Sequence, residues 1–437
     1  MKAKPSVSYT ATISKVWMAS ALLAWVLFSH SASAQTPQAT VTVTLDQAIE
    51  MALQHNHTLL AARTTVPQSE AQEVTANLRP NPTLFTDWEY LPLVHPSGNI
   101  PDYLHDSTEG DIGLSYLFER GKKRQHRLKA AKDATAVTRS QVRDNERNLA
   151  FQVGQLFINV QLAQSTLDLA EQDLESFSKT VDIGEKQFKA GGISENDYLK
   201  IKLQLLQFQQ DVQQARLAKV EALSDLRQLL GYESVPGDYD VAGAFDYQPL
   251  TVALGDLQAK ALDNRPDLKA AIESVDKAQT DYKLAQANGS TDPTVSFDVG
   301  RNPPIDFYFG LDVSIPLRIF DRNQGEKLRT KLDITRNEKL RDAAEAQVFN
   351  DVDSAYATLN SNLILLRPYK QKYLAQAVRV RDTILFSYQH GGASLLDFIN
   401  AETEYRTVQL SYVNLVGSYL TSAAQLNQAV GREVLHE

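Results

Sequence analysis

Two carboxylates stand at equivalent places in a motif that the chain carries twice. Gly191-Gly192-Ile193-Ser194-Glu195-Asn196-Asp197 recurs as Gly391-Gly392-Ala393-Ser394-Leu395-Leu396-Asp397, 200 residues further on. Each glycine pair permits the positive φ that reverses a chain between two helices. Ser194 and Ser394 fall where an N-cap hydroxyl serves the next helix. Asp197 and Asp397 fall in its first turn, where a carboxylate complements the positive end of the helix dipole. The outgoing segments end at matched glycines, Gly231 and Gly431, with Leu226/Leu426 and Gln228/Gln428 in step. A spacing held over that distance marks an internal repeat, and both copies read as tight helical hairpin tips.

No other group of residues offers a better site. His55 and His57 lie two apart, on different faces of a helix, and read as surface residues. His95, Asp102, His105 and Asp106 cluster between two strand-like segments without an established metal-ligand spacing. The basic run Arg120 to Arg127 follows a strand, and reads either as a collar near lipid head groups or as a solvated helix start. No phosphate-binding loop is written in the chain, so energy must come from a partner. The expectation is a protein that is not an enzyme and holds neither cofactor nor metal.

The 437-residue chain opens with Lys2, Lys4 and Lys15, an apolar run from Val16 to Phe28, and Ser31-Ala32-Ser33-Ala34. That is the pattern of an export signal over residues 1–34, cleaved after Ala34. With no cysteine, the exported chain has no disulfide and no thiol to carry an N-terminal lipid anchor. Three lysines and no acid leave with the leader, taking the net charge from −9 to −12. A negative surface argues against nucleic acid. It is compatible with cationic cargo, though more often such a charge is an ordinary solvated face.

Behind the repeat lie two similar halves, residues 35–231 and 255–437, joined by an irregular linker, 232–254. Each begins with a short amphipathic helical stretch, the first capped by Thr44 or Asp46, and breaks at Arg79-Pro80-Asn81-Pro82 or at Gly289 to Pro293. The period then changes to two. Leu84, Thr86, Trp88 and Tyr90 alternate with Phe85, Asp87 and Glu89, and Ile112, Leu114, Tyr116 and Phe118 follow suit within a hairpin over about 83–118. A second hairpin covers about 294–317, through Val295, Phe297 and Val299 and then Phe307, Phe309, Leu311, Val313 and Ile315. Next come long helices over about 121–190 and 323–390. The first carries a heptad seam from Leu149 to Phe188, and the second a looser one in which Pro368 predicts a kink or bulge. About seventy helical residues span roughly 100 Å, more than a globular core requires. Helices over about 194–230 and 394–430 complete the halves.

The four strands are apolar on one face and small or charged on the other, as in an outer-membrane β-barrel. A soluble hairpin packed on a core is the competing reading. Four strands cannot close a barrel, and open edges are not tolerated in lipid. Either the hairpins are soluble, or about three chains pool about twelve strands around a lumen.

With these residues placed, the chain resembles the TolC-like outer membrane factor family, in its heavy-metal (cobalt–zinc–cadmium type) branch. Leu78-Arg79-Pro80-Asn81-Pro82, Ile315-Pro316-Leu317-Arg318-Ile319-Phe320-Asp321-Arg322-Asn323-Gln324-Gly325 and the duplicated tips carry the resemblance. It implies a mainly α fold with a small β part: a long coiled-coil α-helical tube in the periplasm continuing a transmembrane β-barrel, with four strands per protomer in a homotrimer. It implies a passive efflux conduit in the outer membrane of a Gram-negative cell. Docked to it would be a periplasmic adaptor and an inner-membrane pump of the RND type, with metal cations as substrate. Multidrug efflux or type I protein secretion is the alternative within that class, and a periplasmic coiled-coil scaffold without a barrel is the alternative outside it. The resemblance further implies that Gly191, Gly192, Ser194, Gly391, Gly392 and Ser394 dock the adaptor. Asp397 would form an acidic ring at the gate, with Asn400 where relatives carry a second acid, and with Asp197 in the same network.

Overall fold

A computed structural model describes residues 41–91, 99–247, 249 and 253–433. The expected leader over 1–34, and His95, lie outside the described residues. The first half comprises β1 (Thr42–Val43), α1 (Leu45–His55), α2 (His57–Arg63), α3 (Thr65–Asn77), β2 (Thr83–Glu89), α4 (Ile100–Ser107), β3 (Glu109–Leu117), α5 (Lys123–Lys189) and α6 (Glu195–Leu230). The second half comprises α7 (Leu254–Asn264), α8 (Pro266–Asn288), β5 (Thr294–Asn302), β6 (Ile305–Ser314), α9 (Gln324–Pro368), a π-helical turn (Tyr369–Tyr373), α10 (Leu374–Gln389) and α11 (Leu395–Val430). The linker between them contributes β4 (Asp240–Val241), which pairs in parallel with β1. Among the described residues no helix is long and apolar enough to cross a membrane.

The strands form one antiparallel sheet in the order β2-β3-β5-β6. Cross-strand rows keep the two faces apart. Leu84, Leu114, Phe297 and Leu311 share one row, while Phe85, Gly113, Asp298 and Gly310 share the next on the opposite face. The apolar face is uncovered in the protomer: Phe309 is 65% exposed and Leu311 63%. The other face carries Asp87, Asp111 and Asp298. Among the described residues β2 and β6 each leave one edge without a partner.

Several sequence signals recur as geometry. Thr44 caps α1 in a reciprocal capping box with Gln47. Seam residues Leu149, Val153, Val160, Leu167 and Phe177 are buried in α5, and Val348, Val352, Ala355, Leu359 and Leu366 in α9. Pro368 ends α9, and the π-helical turn follows it directly. One extra residue per turn rotates the faces of the helix beyond it. The expected seam is therefore lost in part past that point: Tyr373 and Val380 are exposed, while Ile384 stays half-buried in the cluster that also holds the buried Tyr388. The helical stretch from Thr44 to Leu78 is cut into three helices. α4, which starts beside Pro101, lies between the strands of the first hairpin. Val235 and Tyr239 of the linker are buried rather than peripheral.

The duplication extends to the ends of the tip helices. Asn56 donates to the carbonyl of Leu229 at 3.1 Å, and Arg265 donates to that of Ala429 at 3.4 Å. Both donors sit between the first two helices of their half, and both reach the last turn of α6 or α11.

Helix contacts give each level two free sides. α3 packs on α5, α5 on α8, and α8 on α9. Nearer the tips α6 packs on α5, α5 on α11, and α11 on α9 and α10. Elements of the first half, β2, α3 and α6, therefore lie on one outer side, and β6, α9 and α10 of the second half on the other. Apolar side chains are exposed on both, including Leu203 and Val220 on α6 and Ile364 and Phe386 on the other side.

Candidate gate and docking site at the helical hairpin tips

Each long helix ends in the same closed turn. Gly191 has φ +75° and Gly391 φ +76°. Gly192 donates to the Gln187 carbonyl and Gly392 to that of Ser387, both at 2.8 Å. Gly191 and Gly391 donate to Phe188 and Tyr388 at 3.0 and 3.1 Å. This nested pair of bonds satisfies carbonyls that the helix end would leave open. Only the first glycine of each pair takes positive φ; the second is needed for its N–H.

Ser194 and Ser394 cap the outgoing helices, each accepting from the N–H of Asp197 or Asp397 at 3.1 Å. The Asp397 Oδ2 accepts in return from the Ser394 N–H at 3.0 Å and its hydroxyl at 2.7 Å. Those bonds hold the Asp397 carboxyl below the usual carboxylate range. Asp197 takes only the hydroxyl of Ser194, at 2.8 Å. Both acids thus stabilise helix starts. Asp397 and Asn400 also stay exposed in the protomer, and Asp197 is half-buried. Between the two tips lies a cleft of about 740 Å³ lined by Gln187, Ser194, Asp197, Tyr388, His390, Ser394 and Leu396, among others.

Above the cleft the two hairpins are joined. Phe177 of α5 stacks on Phe208 of α6 with centroids 4.5 Å apart, and Tyr388 of α10 on Phe398 of α11 at 5.4 Å. Phe177 and Phe398 bridge the pairs at 6.3 Å. Arg406, the one basic residue of α11, pairs with Asp173 of α5 at 3.1 Å and also with Asp211 of α6. Its guanidinium lies 4.3 Å from the Phe208 ring centroid. Beside it Glu402 is 5% exposed, and its Oε1 has no hydrogen-bond partner. Burial pushes the carboxyls of Glu402 and Asp173 above their ordinary values; Arg381 opposes this at Glu402, and Arg406, shared with Asp211, opposes it at Asp173.

Sequence reasoning passed over Asp173, Asp211, Glu402 and Arg406. The signal was a lone base in a 36-residue helix otherwise free of Lys and Arg. The remaining candidates stay apart. His57 faces Glu233 at 3.5 Å with both side chains exposed, and among the acids of the described residues His105 contacts only Asp106, at 2.7 Å. Among the described residues no group of three or more His, Asp or Glu converges as metal ligands would. The basic run after β3 is partly built in rather than solvated. Lys123 is buried against Asp292 at 2.5 Å, and Arg127 pairs with Glu119 at 2.7 Å.

A four-stranded sheet with an open apolar face, feeding two long helical hairpins per chain, is the protomer architecture of an outer-membrane channel. The outer membrane efflux protein family matches residues 48–232 and 257–432, and the chain belongs to that family. It is similar to the cobalt-zinc-cadmium resistance protein CzcC of Cupriavidus metallidurans, 23% identical over 89% of this chain and 90% of the relative. It is also similar to the outer membrane efflux protein BepC of Brucella suis, 21% identical over 92% of this chain and 88% of the relative. Among solved structures, CusC superposes with a TM-score of 0.74 at 19% identity, covering 90% of this chain and 94% of CusC. The protein is thus an outer membrane efflux channel component, of a family whose members are not enzymes.

Proposed function

We propose that three copies of this chain assemble into one channel, with four strands from each closing a barrel of about twelve in the outer membrane. One observation carries this reading. At the level of the sheet, the upper helices and the tip helices, the first half leaves one side unpartnered and the second half the other. A neighbour's β6, α9 and α10 set against β2, α3 and α6 makes a head-to-tail contact, which generates a closed ring where the rotation between copies closes. Closure would satisfy both strand edges and turn the apolar sheet face to lipid. The acidic face, with Asp87, Asp111 and Asp298, would line the lumen. The tips would hold a periplasmic adaptor linked to an RND-type inner-membrane pump, with Gly191, Gly192, Ser194, Gly391, Gly392 and Ser394 shaping the docking cleft. Asp397, with Asn400 one turn beyond and Asp197 beside it, would ring the aperture.

We further infer that the cargo is a metal cation such as cobalt, zinc or cadmium. The likeness to CzcC supports this, as do acidic residues at both ends of the path. The test is metal accumulation in cells that lack the gene, with and without the restored protein. Higher cellular zinc, cobalt or cadmium in the deletion strain, reversed by the intact chain, is expected. Unchanged metal content with altered drug tolerance would reassign the cargo.

A further inference from the structure

At the foot of the sheet, where β3 gives way to α5, the apolar face ends in a notch of about 360 Å³. Its walls include Arg79, Tyr116, Phe118, Lys122 and Arg124. Tyr116 continues the apolar row of Ile112 and Leu114, so the notch opens on the face that carries those side chains. Tyr116 and Phe118 meet edge to face with centroids 4.9 Å apart. The acid and one base in the wall are already engaged: Glu119 with Arg127 at 2.7 Å, Lys123 with Asp292 at 2.5 Å. Arg79, Lys122 and Arg124 have no carboxylate within salt-bridge distance among the described residues. Arg124 has only a long contact to the Asn77 carbonyl, 3.5 Å.

We propose that this notch binds the phosphate head group of an anionic phospholipid in the inner leaflet of the outer membrane, one per protomer. The proposal rests on the barrel reading, which sets the apolar sheet face in lipid and this junction at the membrane–water boundary. Tyr and Phe at that depth flank acyl chains, and three unneutralised cations just beyond them match a phosphate. A neighbouring protomer is the competing occupant, because Arg79 lies on the α3–β2 side that a second copy would cover. The facing stretch would bring two further cations, Arg318 and Arg322, and one acid, Asp321, whose Oδ1 accepts from the Asn323 N–H at 2.8 Å. It would add positive charge rather than neutralise it. The second half does not repeat the notch: its helix starts from Asn323 where the first starts from Lys122.

The full-length protein, extracted in mild detergent, is examined by native mass spectrometry with phosphatidylglycerol, phosphatidylethanolamine or excess inorganic phosphate added. The comparison variant is Arg79→Gln with Lys122→Asn, the asparagine chosen because it tolerates the left-handed backbone at that position (φ +58°). The intact protein should retain up to three phosphatidylglycerol molecules per trimer in preference to phosphatidylethanolamine. Each cation near a membrane surface contributes roughly a fivefold gain for anionic lipid, so the double variant should lose about twenty-five-fold. Equal retention of both lipids, unchanged retention by the variant, or displacement by inorganic phosphate would overturn the site. So would a variant that loses the trimer, which would give the notch to the neighbouring protomer. The same spectrum reads the trimer mass of the intact protein. Its absence there would defeat the barrel reading itself, whereas a trimer without lipid preference defeats the notch alone.

Discussion

Arg406 crosses from the second repeat into the first, its Nε 3.1 Å from an Asp173 carboxylate that is nearly inaccessible to solvent. No other ion pair above the tips ties one hairpin of the protomer to the other among the described residues. Asp211 shares the same guanidinium, so a single side chain neutralises two acids on two helices.

Removing that charge should loosen the joint. Arg406→Met leaves Asp173 buried without its partner, which costs on the order of 3–5 kcal/mol for a buried pair. Faster hydrogen exchange in α5 and α11 near the tips, and larger conductance in planar bilayers, are the expected results. Arg406→Lys should restore closure only in part, because an ammonium cannot address both carboxylates with the same geometry. Unchanged exchange in the Met variant would show that the aromatic stack alone holds the hairpins.

The same joint should respond to pH. Glu402 faces Arg381 and Asp382 on α10, Asp173 on α5 and Arg406 on its own helix. Burial, the leading cause, pushes its carboxyl above the ordinary glutamate range in the folded protein. The stabilising contribution of the neutral acid is therefore complete below the ordinary glutamate range and lost as pH rises through the raised value. Glu402→Gln keeps the neutral form at all pH. It should raise the melting temperature at neutral pH and flatten its dependence above pH 4.5, as read by thermal melts across pH. A variant no more stable than the parent at pH 7 would refute the assignment.

Heptad spacing, hairpin alternation and the duplicated tips were legible because each depends on local residue order. The α5 seam came through to Val181, but its last member, Phe188, is 36% exposed and stacks on Tyr198. Pro368 announced a defect without saying that a π-turn would rotate everything after it. Leu363, which the looser seam left out, is buried between Leu359 and Leu366. At the tips, the glycines, serines and aspartates declared themselves by repetition. Arg406, Asp173, Asp211 and Glu402 did not, since their meeting depends on how separate helices align, which no single-helix period encodes.

Gly191 and Gly391 carry the positive φ of the tips, and a Cβ at either would meet nothing within 4 Å. Gly391→Ala should therefore act through the backbone alone, at about 1–2 kcal/mol. Weaker adaptor binding with little change in membrane insertion is expected from pull-down and fractionation. Gly392→Pro should act more strongly, because it also deletes the N–H bonded to Ser387. If both variants bind adaptor like the parent, the tips are not the docking surface.

Asp397 has two separable roles, helix cap and charge. Asp397→Asn retains an oxygen for the Ser394 N–H and hydroxyl while removing the charge. In planar bilayers it should weaken cation preference and block by divalent ions while leaving the tips folded. Asp397→Ala should lose the reciprocal bonds to Ser394 as well and loosen the first turn of α11, while the residue-397 N–H still donates to Ser394. Selectivity unchanged in the Asn variant would leave Asp397 as a cap only.

The central claim is that three chains pool their strands, and the mass of the protein recovered from outer membranes tests it most directly. Membranes are fractionated, the outer-membrane protein is extracted in mild detergent, and the oligomer is weighed by native mass spectrometry. A species of three protomers, resistant to dissociation and confined to the outer-membrane fraction, is the predicted result. A monomer in the soluble periplasm would contradict the account.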